Sequence, residues 1–446
     1  MAGSGNRSGG EAGVGKADAG NARQFKKKKQ GEQIMKFKLT SLEKKWVLYD
    51  VANSAFTMLV STLIPIYFHA LAGQAGIEEV DYLAYWGYTI SISTLMVALA
   101  GPIMGAAADK KKHKKLYFAL TIVLGSIGCL LLGFVRQWLV FLIAFCIVKT
   151  IYSVSLVIYD STLNDITTED RMDDVSAQGF AWGYIGSCVP FILCLVMVLM
   201  YEKIGISQMT ALSLAFVITA VWWFAVSLPI LRAYEQKYFI TEKEVQEENI
   251  WKQLGQTLKE IAKDKKVLLF LIAFFFYIDG VYTIIDMSTA YGSALGLGST
   301  DMLLALLVTQ FVAFPCAIIM GRLSRTMESS KLITICIGAY FCIAVFAFFM
   351  TSAWQFWVLA IAVGMFQGGI QALSRSYFAK IIPPEKSGEY FGFYDICGKG
   401  ASVVGTTVMG LVSQITGNIN YGVGTIAFFF LIGIFVFRMS VATKRG

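Results

Sequence analysis

Histidine is almost missing from this chain: His69 and His113 are the two in 446 residues. Zinc and most transition-metal sites draw on imidazole and thiolate ligands, so a resident metal centre has little to be built from and none is expected. The eight cysteines (Cys129, Cys146, Cys188, Cys194, Cys316, Cys336, Cys342 and Cys397) do not change this. They stand without a C-x-x-C pair and inside apolar stretches, as small core residues and not as a disulfide framework. Charged residues make up only 15%, too few to coat a large soluble domain. There is no glycine-rich phosphate loop, no dinucleotide fingerprint and no local nucleophile-and-base motif, so an enzyme, a bound cofactor and direct ATP drive are not expected. The first 45 residues also lack the apolar core and cleavage site of a secretory signal.

What the chain has instead is apolar length. Twelve stretches fall at 46–72, 82–108, 115–135, 138–160, 174–200, 207–231, 267–292, 300–322, 331–351, 354–379, 388–414 and 419–438. Each can cross a hydrocarbon layer about 30 Å thick as a helix. A bilayer cannot hydrogen-bond a bare peptide group, and continuous apolar runs do not fit the alternating pattern of a barrel, so the spacing predicts an all-α membrane protein of twelve transmembrane helices. The charge is unevenly placed. Of the 38 Lys and Arg residues, 34 lie in alternate segments that share a side with the N-terminus, two (Arg136 and Lys203) lie opposite, and two (Lys149 and Lys399) lie within spans. The positive-inside bias then puts both termini in the cytoplasm, and the net charge of +8 reads as topology and not as a nucleic-acid surface. Residues 1–45, with Lys26 to Lys29 in a row, read as a disordered basic cytoplasmic tail whose lysines serve as a juxtamembrane retention charge, with contact to anionic membrane lipids or a nuclear address as the alternatives. Five tryptophans, Trp138, Trp222, Trp223, Trp354 and Trp357, are expected at span ends, where indoles favour the interface.

The spans divide six and six. The N-terminal half covers 46–231 and the C-terminal half 267–438, with a short cytoplasmic tail at 439–446. Between the halves, 232–266 mixes charges with Ile, Val, Trp and Leu at helical spacing and is expected to hold a cytoplasmic amphipathic helix. The halves echo one another: Gly105, Asp109, Lys115 and Leu116 recur, at an offset of 216, as Gly321, Arg325, Lys331 and Leu332. Two pseudo-symmetric six-helix halves are a common plan for secondary carriers, which hold solute between them near the midplane.

The segment GPIMGAAADKKKHKK, Gly101 to Lys115, resembles the loop between the second and third helices of the major facilitator superfamily. Three others, KKWVLYDVANSAFTMLVSTLIPIYF, SAQGFAWGYIGS and GGIQALSRSYFAKIIPPEKSGEYFGFYDICGKGAS, together resemble one branch of it, the autophagy-associated vacuolar effluxer family. The resemblance covers about 46–438 and implies the major facilitator fold. It further implies export of an amino acid or similar solute, the activity described for fungal members. The absence of long inserts is similar to the compact bacterial type and implies a bacterial cytoplasmic membrane.

Depth ranks the candidate site residues, because a charge near the bilayer centre costs about 2.5–3.5 kcal/mol on insertion scales and is kept for a pathway or a pair. At 1.5 Å per residue, Lys149 is about 16 Å into the fourth span, Asp279 about 20 Å into the seventh, and Asp395 and Lys399 about 10–17 Å into the eleventh. These four are expected to form the substrate and proton pathway, with Asn53 on the polar face of the first span and Gln367 and Gln371 on the tenth. Asp286, shallower on the face of Asp279, is expected to serve packing more than function. Asp395 and Lys399, spaced i, i+4, fit either a static ion pair or one that opens in turnover. Asp50, Asp109, Asp160 and Arg375 lie nearer the inner end and are expected to latch it. The function these features fit is secondary active transport of a small polar solute by alternating access, with protons as the candidate coupling ion. Efflux of amphipathic drugs or lipids is the alternative within transport, and a non-transporting membrane sensor or scaffold the alternative outside it.

Overall fold

The computed structural model describes Gly3 and residues 37–241, 249–294 and 296–443. Most of the expected tail, including Lys26 to Lys29, lies outside the described residues, as does 444–446. Among the described residues are twelve helices long and apolar enough to cross a membrane. In chain order they are α1 (Ser41–Gln74), α2 (Glu79–Ala108), α3 (His113–Leu132), α4 (Trp138–Ser161), α5 (Met172–Leu199), α6 (Gln208–Ala233), α7 (Lys265–Ala294), α8 (Ser299–Leu323), α9 (Ser329–Phe348), α10 (Ala353–Ile381), α11 (Ser387–Thr416) and α12 (Ile419–Ala442). Helix α1 begins five residues before the expected boundary, because its first turn is not a free tail: Glu43 is buried against Arg171 at 2.7 Å and accepts from Thr167.

Local chemistry sets several of the ends. The side chains of Gln137, Ser207 and Asn418 accept from backbone N–H groups in the first turns of α4, α6 and α12, and Ser352 with Gln355 makes a reciprocal capping box on α10. Gly417 closes α11 with a φ of +66°, where a side chain would be strained. A further helix, Ile250–Lys263, fills part of the segment between the halves. Its Leu254, Thr257 and Ile261 are buried and its Trp251 and Leu258 exposed. Large apolar side chains such as Leu95, Leu99, Leu131, Ile143, Val189 and Phe435 face outward from the bundle, as a lipid-bathed surface requires.

The same neighbour pattern appears twice. In each half the first helix packs on the fifth and sixth, the second on the fourth, and the third on the fourth and sixth. The halves meet through α2 with α11 and α5 with α8, two contacts that the pseudo-symmetry exchanges, and through α5 with α10 and α4 with α11. The α2–α11 contact needs bare backbone. A Cβ on Gly105 would overlap the carbonyl of Gly388, and one on Gly392 would press on Pro102, so small residues permit the approach. Trp223 departs from the interfacial placement expected for it. It is fully buried, and its ring fills the space beside Gly125 against Phe56 and Tyr152.

Candidate functional site

Polar side chains gather at two levels between the halves. The first lies at the end of the bundle where α1 begins and α12 ends. There the Arg375 guanidinium of α10, 2% exposed, reaches Asp160 of α4 at 3.0 Å and Asp50 of α1 at 3.2 Å, and donates to the Ser176 hydroxyl and carbonyl of α5 at 2.9 and 3.1 Å. Its planar face lies 4.3 Å from the Phe180 ring centroid and 4.7 Å from that of Trp46, a geometry that stacking and cation–π attraction favour for arginine. The Tyr159 hydroxyl donates to Asp50 at 2.8 Å. Of the expected latch residues, Asp50, Asp160 and Arg375 thus meet in one buried cluster that joins the halves.

Asp109 sits in a second clasp at the same end. Its carboxylate accepts from the backbone N–H groups of Gly388 and Glu389 at 2.8 and 2.9 Å, and Lys114 stands 3.1 Å away and donates to Ser387. A carboxylate placed on the first N–H groups of a helix satisfies orphan donors and meets the positive end of the helix dipole. Burial pushes the Asp109 carboxyl up, while Lys114 and the two N–H groups act against that. The linker helix holds the same turn from outside: Gln253 donates to Glu389 at 3.2 Å and Glu260 pairs with Lys386 at 2.6 Å.

The symmetry-related contact was missed by sequence reasoning. Arg325, the counterpart of Asp109, makes two 2.7 Å bonds to Asp174 in the first turn of α5. Beside it Asp173 receives Lys380 at 2.6 Å and the hydroxyls of Ser376 and Ser329. The offset repeat marked Arg325, and the Asp173–Asp174 pair at the start of a span was the signal for its partner. The ion pairs Arg325–Asp174, Arg375–Asp50, Arg375–Asp160 and Lys380–Asp173 all join the halves at this end.

The second level is near mid-depth. Lys399 lies 2.7 Å from Asp395 on the same face of α11, and Asp395 keeps one buried oxygen, Oδ2, without a partner. Asp279 is fully buried, accepts from Thr283 at 3.2 Å and from the Gly405 N–H of α11 at 3.1 Å, and also leaves its Oδ2 unpartnered. Lys149 is half-buried and makes no hydrogen bond or ion pair among the described residues; its ammonium lies 6.0 Å from the Phe145 ring centroid. Helix α11, which carries Lys399 and Asp395, packs on α4, which carries Lys149, and on α7, which carries Asp279 and Asp286.

The other expected pathway residues are tied elsewhere. Asn53 is buried and donates to the Tyr49 carbonyl of its own helix at 2.8 Å. Gln371 accepts from the Tyr184 hydroxyl at 2.7 Å, a bond between α5 and α10. Gln367 is half-buried one turn away and interacts with the same tyrosine. On α1 the Thr57 and Ser61 side chains are exposed although they lie in the middle of a spanning helix, and Thr57 is 2.6 Å from the Tyr152 hydroxyl.

Comparisons with known proteins agree on the type of molecule. The family model described as vacuole effluxer Atg22 like matches residues 41–446. An uncharacterized MFS-type transporter, YxiO of Bacillus subtilis, is 42% identical over 404 residues, which is 90% of this chain and 94% of that one. Autophagy-related protein 22-1 of Neosartorya fischeri is 22% identical over 479 residues, covering 85% of this chain and 77% of the relative. The namesake in Sclerotinia sclerotiorum is 23% identical, with 47% of its own length matched. Among solved structures, a bacterial homologue of the iron transporter ferroportin in an outward-facing state superposes with a TM-score of 0.66 at 15% identity, over 90% of this chain and 99% of that one. A variant of the E. coli fucose:proton symporter FucP does so with a TM-score of 0.66 at 15% identity, over 90% and 97%. These two likenesses show the fold.

Proposed function

The chain belongs to the vacuole effluxer Atg22-like family and is a membrane transporter of the major facilitator type, and from there we propose that it exports a small, amino-acid-like polar solute by alternating access, coupled to protons. The observation that carries the proposal is the Lys399–Asp395 pair well inside the spanning part of α11, with Lys149 on α4, a helix of the other half that α11 packs against. An amphipathic drug would call for an aromatic and weakly charged cavity, whereas ionic side chains at this depth suit a solute with charges of its own. In this reading both termini are cytoplasmic and the membrane is the bacterial cytoplasmic membrane. Residues 46–231 and 267–438 rock about the site, with 232–266 as the cytoplasmic link. The clasps around Arg375, Asp109 and Arg325 form the cytoplasmic gate, drawn shut. Gln367 and Gln371 line the pathway, and Asn53 steadies the polar face of α1.

Two carboxyls hold proton roles in the proposal. Asp279, buried against α11 with an oxygen unpartnered, is the site whose charge changes without touching solute. Asp395 exchanges Lys399 for a proton as the pair opens.

The test is counterflow of a labelled amino-acid panel into proteoliposomes, repeated with an imposed pH gradient. Saturable counterflow in the wild type is expected, reduced about tenfold or more by Lys149→Ala, since a lost hydrogen bond to a charged group is worth about that. Asp279→Asn is expected to keep counterflow and lose gradient-driven accumulation. Gradient-driven accumulation that survives Asp279→Asn removes its proton role. A panel without counterflow removes the amino-acid assignment.

A further inference from the structure

The helix Ile250–Lys263 between the halves presents four stripes of side chains. Leu254, Thr257 and Ile261 are buried, and the helix packs on α2, α7 and α11. Next to that stripe, Gln253 and Glu260 bond to Glu389 and Lys386. The other two stripes are uncovered. Trp251, Leu258 and Ala262 follow i, i+7 and i+11 and are all exposed, Trp251 by 61%. On the same stripe stands Gly255, where an added Cβ would meet nothing within 4 Å. One residue further along, Lys252, Lys259 and Lys263 repeat the spacing and are exposed as well. A single exposed apolar side chain is ordinary, but an apolar stripe beside a lysine stripe is the pattern of a helix that lies in a membrane interface.

The anchoring of the helix says what covers those stripes. At its C-terminal end, Asp264 alone separates it from α7. The Asp264 N–H donates to the Glu260 carbonyl at 3.0 Å, and its carboxylate accepts from the N–H groups of Lys266 and Val267 at 3.0 and 3.2 Å, so one helix closes and the next opens on the same residue. Near the other end, Gln253 is tied to Glu389 in the first turn of α11. Both ends are thus held at the entries of spanning helices, which lays the helix axis along the membrane surface. At that height the neighbour of an uncovered face is the lipid leaflet, and its phosphates complement the lysine stripe in charge. A soluble partner would have to displace lipid to reach the same face.

We propose that the linker helix is a docking site for anionic phospholipid: Trp251 and Leu258 enter the boundary of the acyl chains, and Lys252, Lys259 and Lys263 take the lipid phosphates. On the topology given above, the leaflet is the cytoplasmic one. The proposal does not depend on which solute is carried. It gives the segment between the halves a role besides that of a tether, since a helix seated in the headgroup layer also fixes the level of the α11 turn that it holds.

The test is the depth of a spin label on the full-length protein in vesicles. Labels are placed singly at Ala262→Cys on the apolar stripe and at Gln256→Cys beside the lysines, with Cys342, Cys316 and Cys397, the cysteines that are not buried, replaced. Relaxation by oxygen, which concentrates in the acyl layer, is compared with relaxation by a water-soluble nickel chelate. In phosphatidylcholine and phosphatidylglycerol in equal parts, Ala262→Cys should favour oxygen and Gln256→Cys the chelate. In phosphatidylcholine alone the oxygen preference at Ala262→Cys should weaken. Each lysine at an anionic surface contributes about fivefold to docking, so Lys259→Gln with Lys263→Gln should weaken it about 25-fold and bring the mixed vesicles to the level of phosphatidylcholine alone. Trp251→Ser should lower the oxygen preference in both lipids. All these positions are exposed, and a label at the exposed Asp170→Cys, on the other half, should read the same in every variant if the bundle is intact. A label at Ala262→Cys that favours the chelate in both lipids overturns the proposal and leaves the face to a soluble partner. A label that neither reagent reaches overturns it in favour of a second protein chain. An oxygen preference indifferent to phosphatidylglycerol and to the lysines overturns the recognition of anionic lipid.

Discussion

Removing the guanidinium of Arg375 should release one end of the bundle. Arg375→Met keeps a long apolar side chain between Trp46 and Phe180 but leaves Asp50 and Asp160 facing each other with no cation, and Ser176 without its donor. Breaking a buried ion pair by deleting one partner costs about 3–5 kcal/mol, because the remaining charge stays buried and uncompensated. That cost falls on the closed arrangement alone: once the end opens, both carboxylates hydrate. The equilibrium between closed and open should therefore move by about 10²- to 10⁴-fold toward open. The shift can be read by electron–electron double resonance between spin labels at Asp170→Cys and Glu328→Cys, exposed positions on opposite halves at this end, on a background in which the exposed Cys342 is replaced. The wild type should give one short distance and Arg375→Met a dominant longer one, with Arg375→Lys between them because it keeps the charge but not the planar fork. An unchanged distance distribution in Arg375→Met would refute the reasoning: the cluster would then be a passive tie, with closure held by the α2–α11 and α5–α8 contacts.

The other clasps make separate predictions. Gly105→Val puts a side chain into the carbonyl of Gly388, so α2 and α11 should part and the Gly388 and Glu389 N–H groups should lose Asp109. Hydrogen exchange of the segment 387–392 should accelerate severalfold, while exchange in the centre of α5 stays as in the wild type. Asp174→Arg and Arg325→Asp should each lower transport about tenfold or more, and the double variant should recover part of the loss, since contacting charge pairs couple by about 0.5–3 kcal/mol. Full recovery is not expected, because an arginine in the first turn of α5 opposes the helix dipole that Asp174 complements. Equal loss in the single and double variants would mean that the pair is not an independent clasp.

The fold was legible because lipid imposes a one-dimensional constraint: each span must hide its backbone within one run of residues, so twelve runs and a sign-biased set of loops suffice to draw the bundle. Contact partners across the halves are a different kind of information. Arg375 and Asp160 were readable as a pair because both lie at a similar depth near the inner end. Arg325 and Asp174 were not, since nothing along the chain says that the first turn of α5 meets the end of α8; only the packing of α5 on α8 does. The same holds for Asp279 and Asp286, seven residues apart on one helical face. Residue type and depth ranked Asp279 above Asp286, yet the neighbouring helix decides which of them is occupied. The Gly405 N–H of α11 takes Asp279, and Asp286 faces open space. Trp223 was misplaced for a related reason, because the vacancy it fills is made by Gly125 of another helix.

The two symmetry-related clasps show what the duplicated architecture keeps and what it lets go. Positions 109 and 325 are equivalent, and each ends beside the first turn of the fifth helix of the opposite half, but one is an acid and the other a base. The common requirement is a negative group at a helix N-terminus, where unpaired N–H donors and the dipole make it favourable. Asp109 supplies that carboxylate across the interface, directly to the α11 donors. At the other contact the carboxylate belongs to α5 itself, as Asp174, and Arg325 comes across to hold it. Both solutions close the same gap with short, charge-assisted bonds, and both need a glycine beneath them, Gly105 against Gly388 and Gly321 against Ala177, so that the backbones can come close enough. The geometry of approach is thus kept the same in both halves by small residues, while the sign of the charge is free to change as long as its partner changes with it. A clasp built in this way can loosen without unfolding a helix, since opening exposes only side chains and first-turn N–H groups that water can satisfy.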